Sequence, residues 1–386
     1  MLRIEGTADA GFATVAEAFR ANFADQHEVG AAVCIYRHGR PVVDLRGGVA
    51  DAATARPWRP DTMAVVFSAT KGVTAACVHL LAERGVLDLD APLAQYWPEF
   101  GCAGKATIPV RWVLGHRAGL PLVEAELTRE EVFAWFPVVR AIAAQTPVWE
   151  PGTQHGYHVR TWGWMLGELV RRITGMTIGQ FIAKEVAAPL AADFHLGLPE
   201  GLEPRVATLY PPGPPTDPAQ IALMAQLMGP GTFLHRALIG PADLAYGEVW
   251  NSRALHAAEI PSSNGICTAH ALARFYAALV GQVDGRRLLS AATVEAACHV
   301  VSDGHDAVVG APTRFGSGFM LPPALSPDCS PTCFGHPGAG GSLAFADPSR
   351  ELAFAYVTNQ LKLEPSGDER TRRLVRALYA AADHCG

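Results

Sequence analysis

The sequence predicts an α/β (α+β) fold in which both ends of the chain supply strands to one antiparallel sheet flanked by helices. Residues 31–50 form two β-rich runs around the turn His38-Gly39-Arg40, a pattern typical of a β-hairpin. Four further β-rich runs, separated by turn-forming residues, follow residue 314. Helical periodicity dominates the middle of the chain, punctuated by proline and glycine.

We therefore expect two structural units. The sheet domain would comprise residues 1–75 and 260–386, and a mostly helical domain would be inserted as residues 76–259. The two would meet at a cleft. With 386 residues, 49% of them apolar, the chain is long enough to bury a large core.

The first elements can be placed from their apolar spacing. An amphipathic helix carries Phe12, Val15, Ala18 and Phe19, and a short strand runs from Met63 to Phe67. A helix follows at once, with apolar residues at helical spacing and a stop at Gly85.

The later elements follow the same rules. Helices are predicted at 129–145, 161–174, 177–187, 268–281, 290–298 and 367–382, a long proline-rich loop at 198–218, and strands at Phe315–Met320, Cys333–Ala339, Ser342–Ala346 and Leu352–Asn359.

Composition excludes several classes of partner. The net charge of −6 gives no basic footprint for nucleic acid. No apolar run reaches the length of a membrane span, and the first residues lack the apolar core of a signal peptide. We expect a cytoplasmic protein with no membrane partner. The sequence does not determine the oligomeric state, and a homodimer is compatible with it.

Neither cysteine nor histidine spacing indicates a metal site. The eight cysteines contain no CxxC pair, and although Cys329 and Cys333 are close enough to pair, buried free thiols are the expected state. His155 and His158 lie three residues apart with no cysteine or carboxylate cluster beside them. We expect neither a metal nor a cofactor.

The first motif that carries chemistry is Ser68-Ala69-Thr70-Lys71 at the predicted strand-to-helix junction. Residues i and i+3 share one face of a helix, so the lysine can reach the serine hydroxyl. A buried lysine has a lowered pKa and can act as the base that a serine nucleophile needs. Four-residue matches of this kind also arise by chance, but lysine occurs only four times in this chain.

The second motif is Gly156-Tyr157-His158, ahead of the helix predicted at 161. A tyrosine presented into the cleft can share a proton with Lys71 and relay it to a leaving group. A packing aromatic with a solvated hydroxyl is the alternative interpretation of Tyr157.

The third motif runs from His336 to Ser342 and is rich in glycine. Pro337 lacks an N–H and belongs where that group would point away from the sheet, so the Ala339 N–H, two residues on, points the same way. It would form an oxyanion hole with the Ser68 N–H. An ordinary hairpin turn would explain the same glycines.

Together the three motifs, in this order, resemble the serine β-lactamase and penicillin-binding-protein superfamily. The closest branch is that of class C β-lactamases and family VIII carboxylesterases. Other similar stretches begin at Leu114, Trp149, Pro261 and Gly340, so the resemblance spans about residues 10–382. It implies a nucleophile at Ser68, a base at Lys71 and a partner at Tyr157.

Two departures favour esters over β-lactams. Val159 stands where the resemblance implies asparagine, and His336-Pro337-Gly338 stands where it implies Lys-Thr-Gly, the groups that engage a β-lactam carboxylate. We expect a carboxylesterase acting on short-chain esters, a small-molecule substrate, through an acyl-enzyme on Ser68. An acyltransferase, an amide or weak β-lactam hydrolase, and an inactive binding protein remain alternatives.

The substrate pocket is predicted from motif positions alone. His336, Gly338, Gly340 and Asn264 are candidate pocket residues from their motif positions. A neutral or protonated His336 could bind the substrate, or it could be a structural histidine. Ser263 and Asn264 are also explained by a turn before the helix at 268.

Overall fold

The computed structural model describes residues 3–214, 217–364 and 367–384. The strands, in chain order, are β1 Ile4–Ala8, β2 Gly30–Arg37, β3 Arg40–Asp51, β4 Arg56–Pro57, β5 Ala64–Val65, β6 Phe194–His195, β7 Ile266–Cys267, β8 Ser302–His305, β9 Pro312–Phe315, β10 Phe334–Pro337, β11 Leu343–Asp347 and β12 Leu352–Thr358.

The helices, in chain order, are α1 Ala13–Asp25, α2 Thr70–Glu83, α3 Leu93–Tyr96, α4 Val110–Leu114, α5 Arg129–Phe133, α6 Phe136–Ala144, α7 Thr161–Thr174, α8 Ile178–Ile182, α9 Ala188–Leu190, α10 Pro218–Met228, α11 Phe233–Ile239, α12 Arg253–Ala257, α13 Ala269–Val280, α14 Ala291–Cys298 and α15 Glu369–His384.

The main sheet joins the two ends of the chain, as predicted. Its strand order is β1-β3-β2-β12-β11-β10, with β4 paired to β3, and every pairing is antiparallel. The β2–β3 hairpin turns at His38 and Gly39. Strand β10, which carries the third motif, lies at one edge of the sheet.

Helices cover both faces of this sheet because its strands alternate between two cores. In β2, the side chains of Ala31, Val33 and Ile35 pack in the core that α1 and α15 share. Ala32, Cys34 and Tyr36 face the other core, which includes α13 and α2. Both faces of the central strands are therefore apolar, and they show no simple alternation of polar and apolar residues.

The helix predicted at 129–145 is interrupted. It forms as α5 and α6, and between them Trp135 adopts φ of 68°, a left-handed conformation that no α-helix continues through. Pro137, at the second position of α6, suits a new helix start because its missing N–H would be unpaired there. The helix predicted at 177–187 forms, as α8 followed by a π-helix over Ala183–Ala187 that leads directly into α9.

The strand predicted at Phe315–Met320 is wrong beyond its first residue. Phe315 ends β9, and the chain then turns, with the Gly316 N–H donating to the Phe319 carbonyl at 2.8 Å. Gly318 supports that turn with φ of 92°. The strand predicted at Met63–Phe67 shortens to β5.

The segment predicted as a loop at 198–218 is partly regular. A 3₁₀ helix spans Glu200–Arg205, and Val206 then pairs with Met63. Residues 215 and 216 lie outside the described residues, and α10 begins at Pro218.

The seven described cysteines are all unpaired, as expected, while Cys385 lies outside the described residues. Cys102 is exposed, so the expectation of burial is wrong for that thiol. Within the three described ranges, no helix has both the length and the apolar content needed to cross a membrane.

Candidate active site

Ser68 lies at the junction of a strand and a helix, as the first motif predicts. Strand β5 pairs with β7, and the Val66 N–H donates to the Gly265 carbonyl at 2.9 Å. The chain then makes a 3₁₀ turn over Phe67–Ala69, in which Phe67 has φ of 46°, and enters α2. This turn places Ser68 at the amino-terminal end of α2, where backbone N–H groups point toward a developing negative charge.

Lys71 is one turn along α2 and reaches Ser68. Its Nζ lies 3.3 Å from the Ser68 Oγ and donates to the backbone carbonyls of Val159 at 2.8 Å and Ser262 at 3.0 Å. The lysine is fully buried. The two carbonyls hold the amine in place, and neither of them supplies the full negative charge that would keep it protonated.

Burial lowers the pKa of Lys71 well below its usual value, because a charged amine loses its hydration there. The positive charge of Arg160 lowers it further. Arg160 is itself fixed nearby, since its guanidinium donates to the carbonyls of Gly240 at 2.8 Å and Leu244 at 2.7 Å. Lys71 thus has the environment of a neutral amine, which can accept the Ser68 proton.

Tyr157 reaches the same site from the loop before α7. Its backbone N–H donates to both oxygens of Asp306, at 2.9 and 3.0 Å, and its ring stacks on Phe315 at 5.9 Å. The Tyr157 hydroxyl interacts with the Ser68 side chain and lies 3.3 Å from the His336 Nε2. Burial raises the pKa of the phenol, so that Tyr157 is protonated at neutral pH.

Lys71 meets Tyr157 differently from the sequence prediction. The Lys71 Nζ lies 4.8 Å from the centre of the tyrosine ring, over its face. The tyrosine hydroxyl instead points toward Ser68 and His336. Any proton exchange between Lys71 and Tyr157 would therefore pass through the Ser68 oxygen.

The tautomer of His336 can be assigned from its partners. Its Nδ1 lies 2.7 Å from the Pro337 carbonyl, which can only accept, so Nδ1 carries the hydrogen. The Nε2 is then free to accept the Tyr157 O–H. Burial, reinforced by Lys71, lowers the pKa of His336 to about 3, so the ring is neutral. A neutral imidazole cannot attract a carboxylate as a lysine would.

The end of β10 lies directly against the turn that carries Ser68. A Cβ added to Gly338 would stand 2.2 Å from the Val66 carbonyl oxygen, so only glycine permits this approach. The Gly338 N–H donates to the Ser342 carbonyl at 2.6 Å, whereas the Ala339 N–H makes no backbone hydrogen bond within the described residues. This arrangement leaves the Ala339 N–H available, as the oxyanion prediction requires.

Gly340 is held in place through its carbonyl. Its φ is 85°, and its carbonyl accepts from the Arg370 guanidinium at 2.7 Å and from the Lys362 N–H at 3.1 Å. Arg370 is fully buried and also donates to Glu28 at 2.9 Å and to Asp368 at 2.6 Å. Gly340 is therefore held in place by the residues behind it. Together with Gly338 and Ala339 it also lines a cavity of about 520 Å³, and its assignment to the substrate pocket stays a prediction.

Asn264 is structural, which corrects its assignment to the pocket. Its Oδ1 accepts the Ile260 N–H at 2.8 Å, and its Nδ2 donates to the carbonyls of Leu255 and Ala258, both at 2.8 Å. The side chain is fully buried and its hydrogen-bonding groups are engaged within its own loop. That loop fixes the Ser262 carbonyl, which holds Lys71.

A small apolar cavity lies near the site, although Ser68, Lys71 and Tyr157 do not line it. Its volume is about 200 Å³, and its walls include Leu238, Ile239 and Tyr246. Tyr246 packs edge-on against Phe67, the neighbour of Ser68, at 5.2 Å between ring centres. Leu238 also packs in an apolar cluster with Tyr157. A larger cavity of about 630 Å³, between α14 and the start of β10, includes neither Ser68, Lys71 nor Tyr157.

Several residues that support the site were not found from the sequence. The carbonyls of Val159 and Ser262 are backbone groups, which residue types do not mark. Asp306 lies in the turn between β8 and β9, a hairpin that was not predicted. Arg370 stands in the arginine-rich start of a helix, where nothing in the pattern separates a buried arginine from the exposed ones.

Comparison of the sequence with known protein families agrees with the geometry of the Ser68 site. The sequence matches the family described as "Beta-lactamase" over residues 15–379. The chain belongs to this beta-lactamase family. Within the family, it is 38% identical over 373 residues to the esterase/beta-lactamase LipL of Mycobacterium tuberculosis, an alignment that covers 93% of this chain and 83% of that protein.

Solved structures of beta-lactamase-fold proteins are similar over nearly the whole chain. A family VIII carboxylesterase is 37% identical, with a TM-score of 0.89, covering 98% of this chain and 100% of that chain. A penicillin-binding protein homologue from Caulobacter crescentus is 36% identical, with a TM-score of 0.88 and the same coverage. The resemblance inferred from the three motifs and the predicted fold class are confirmed.

Proposed function

We propose that this protein is a serine carboxylesterase that hydrolyses short-chain esters through an acyl-enzyme on Ser68. The observation that carries the proposal is the 3.3 Å contact between the Ser68 Oγ and the buried Lys71 Nζ. A serine hydroxyl becomes a useful nucleophile when a neutral base can take its proton. The names of the similar proteins, an esterase/beta-lactamase and a family VIII carboxylesterase, agree with this choice.

The acylation step follows from the hydrogen bonds around Ser68. Lys71 accepts the hydroxyl proton as the Ser68 Oγ bonds to the ester carbonyl carbon. The carbonyl oxygen becomes an oxyanion and accepts from the N–H groups of Ser68 and Ala339. The bond to the alcohol oxygen then breaks, and that oxygen takes the proton directly from Lys71.

Deacylation repeats these steps with water in place of the Ser68 hydroxyl. A water molecule gives its proton to Lys71 and bonds to the acyl carbon, and the Ser68 oxygen leaves with the proton returned to it. Tyr157 keeps its own O–H bonded to the His336 Nε2, so its lone pairs face Ser68. The phenol thus orients the hydroxyl that is being deprotonated.

Two features favour neutral esters as substrates. His336 presents a neutral imidazole at the position where a cation would bind a β-lactam carboxylate. The cavity of about 200 Å³ beside Tyr246 is apolar and small, which suits a short acyl chain. We expect p-nitrophenyl butyrate to be hydrolysed much faster than a chromogenic cephalosporin at equal concentration.

The test compares Ser68→Ala with Ser330→Ala, a loop serine away from the site. Ser68→Ala should lose at least about a thousandfold in kcat on p-nitrophenyl butyrate, while the control keeps its rate. A fluorophosphonate probe should add to Ser68, as peptide mass spectrometry can show. Full activity in Ser68→Ala, or a probe adduct elsewhere, would contradict the proposal.

The cavity assignment has its own test. Leu238→Trp should fill the cavity and shift the preferred acyl chain toward acetate, whereas Leu238→Ala should extend activity toward longer chains. Rates on a series of p-nitrophenyl esters measure both shifts. An unchanged chain-length profile in both variants would place the acyl group elsewhere.

A further inference from the structure

A second cluster of chemically competent side chains lies on the sheet, outside the active site. Cys34 on β2 and Asp44 on β3 are directly opposite each other in the antiparallel register. His270, the second residue of α13, packs on the same face of the sheet. Side chains at opposed positions of neighbouring strands point to one face, so the three groups converge.

The distances within this cluster are close to those of a metal site. The His270 Nδ1 lies 2.8 Å from the Asp44 Oδ2 and 3.9 Å from the Cys34 Sγ, and all three donor atoms lie within 4.8 Å of one another. Tetrahedral zinc separates such nitrogen and oxygen ligands by about 3.3 Å and nitrogen and sulfur ligands by about 3.6 Å. The Cys34 Sγ and the Asp44 carboxylate oxygen lie at most 4.8 Å apart. Rotation of the half-exposed Asp44 and His270 side chains would have to bring all three ligand atoms to tetrahedral separations.

The ring of His270 is already oriented for coordination. Its Nε2 lies 2.9 Å from the hydroxyl of Tyr36, a residue that is almost completely buried. Before a cation binds, Nδ1 carries the hydrogen that is donated to Asp44, and the Tyr36 hydroxyl donates to Nε2. Coordination through Nδ1 requires this hydrogen to move to Nε2, where the Tyr36 oxygen can accept it. The Tyr36 oxygen also lies 3.5 Å from Arg274, which fixes it from the other side.

Charge and access also fit a divalent cation. Burial and the neighbouring Asp44 raise the pKa of the Cys34 thiol, so a cation has to displace its proton. The thiolate formed in this way and the carboxylate of Asp44 then supply two negative charges, and the imidazole is a neutral third ligand. Cys34 is fully buried, whereas the side chains of Asp44 and His270 are 38% and 39% exposed. The exposed side leaves a fourth position for water.

We propose that Cys34, Asp44 and His270 bind a zinc-type divalent cation, with water as the fourth ligand. Binding replaces the thiol proton by the metal: the S–H bond breaks, the sulfur–metal bond forms, and the proton leaves to solvent. Sequence spacing predicts no metal because the ligands come from two strands and a distant helix. The cation would fasten α13 to the β2–β3 hairpin.

Cobalt(II) gives a direct test on the full chain. After chelator treatment, one equivalent of Co²⁺ should produce a thiolate-to-cobalt charge-transfer band and the visible bands of tetrahedral cobalt, and Zn²⁺ should abolish both. Cys34→Ser should lose the charge-transfer band. Cys298→Ser, which removes a cysteine at the end of α14, should keep it.

A second variant distinguishes the loss of the metal site from misfolding of Cys34→Ser. His270→Ala alters a half-exposed helix residue and should weaken Co²⁺ binding at least tenfold. Zn²⁺ should raise the melting temperature of the wild-type chain and leave that of His270→Ala unchanged. No charge-transfer band in the wild-type chain, or an equal band in Cys34→Ser, would overturn the site and leave only an Asp44–His270 ion pair.

Discussion

The buried Arg370 offers the sharpest test of how the segment that follows β10, Gly338 to Gly340, is held. Its guanidinium forms an ion pair with Glu28 in which both side chains are fully buried, and it also donates to Asp368 and to the carbonyls of Gly340 and Gln360. Arg370→Met keeps most of the side-chain volume and removes every one of these bonds. It leaves Glu28 as a buried charge without its cation.

The loss of folding stability in Arg370→Met can be estimated from these contacts. Removing one partner of a buried ion pair destabilises a protein by about 3–5 kcal/mol, because the remaining charge is uncompensated. Folded proteins are stable by about 5–15 kcal/mol, so Arg370→Met should still fold. Urea unfolding followed by circular dichroism measures the loss. Without Arg370, the Gly340 carbonyl loses its hydrogen bond, and the neighbouring Ala339 N–H should be held less firmly in position. We therefore expect kcat to fall roughly tenfold to a hundredfold.

A double variant separates stability from catalysis. Glu28→Gln combined with Arg370→Met removes both charges, so stability should recover by at least about 2 kcal/mol relative to Arg370→Met. The Gly340 carbonyl still lacks its donor, so kcat should stay low. If Arg370→Met loses less than about 1 kcal/mol, or if kcat recovers together with stability, then Arg370 does not position this segment as described.

Three further predictions concern the proton path. Burial and Arg160 lower the pKa of Lys71, so kcat/KM should rise with pH through that lowered pKa and level off well below the usual lysine range. Arg160→Gln removes the nearby positive charge and should move this rise to higher pH. A pH profile that does not move would contradict the electrostatic argument. His336→Ala removes the acceptor of the Tyr157 O–H and should lower kcat about tenfold or more with little change in KM, whereas an equal rise in KM would indicate a substrate-binding role. Asp306→Asn weakens the bonds to the Tyr157 N–H and should cost about 1.5–3 kcal/mol in urea unfolding, with a lower kcat; unchanged stability would refute the anchoring role of Asp306.

The parts predicted correctly are those that the order of residue types encodes. Apolar periodicity located α1, α2 and α7, and the turn residues at His38 and Gly39 located the β2–β3 hairpin. The register of that hairpin was not predicted, because a bulge between Ile35 and Tyr36 shifts the pairing by one residue. The contact between Ser68 and Lys71 follows from three-residue spacing on one helix, which is a local geometric property.

The parts that were missed depend on contacts between distant segments. Trp135 breaks a helix by its positive φ, although tryptophan has no intrinsic preference for that conformation. Asn264 looked like a pocket residue from its motif position, but the carbonyls it binds are visible only in the folded loop. The Tyr157 hydroxyl faces His336 because of ring orientation, which sequence spacing does not determine.

The anchoring of Gly340 by Arg370 has a consequence for synthesis. The nucleophile and its base emerge early from a ribosome, but β12 must insert between β2 and β11, and Arg370 comes from the final helix, α15. A nascent chain that carries Ser68 and Lys71 therefore lacks the bond that holds the Gly340 carbonyl until α15 has been synthesised. Under the proposed mechanism, the Ala339 N–H would be positioned for acyl transfer only after that point.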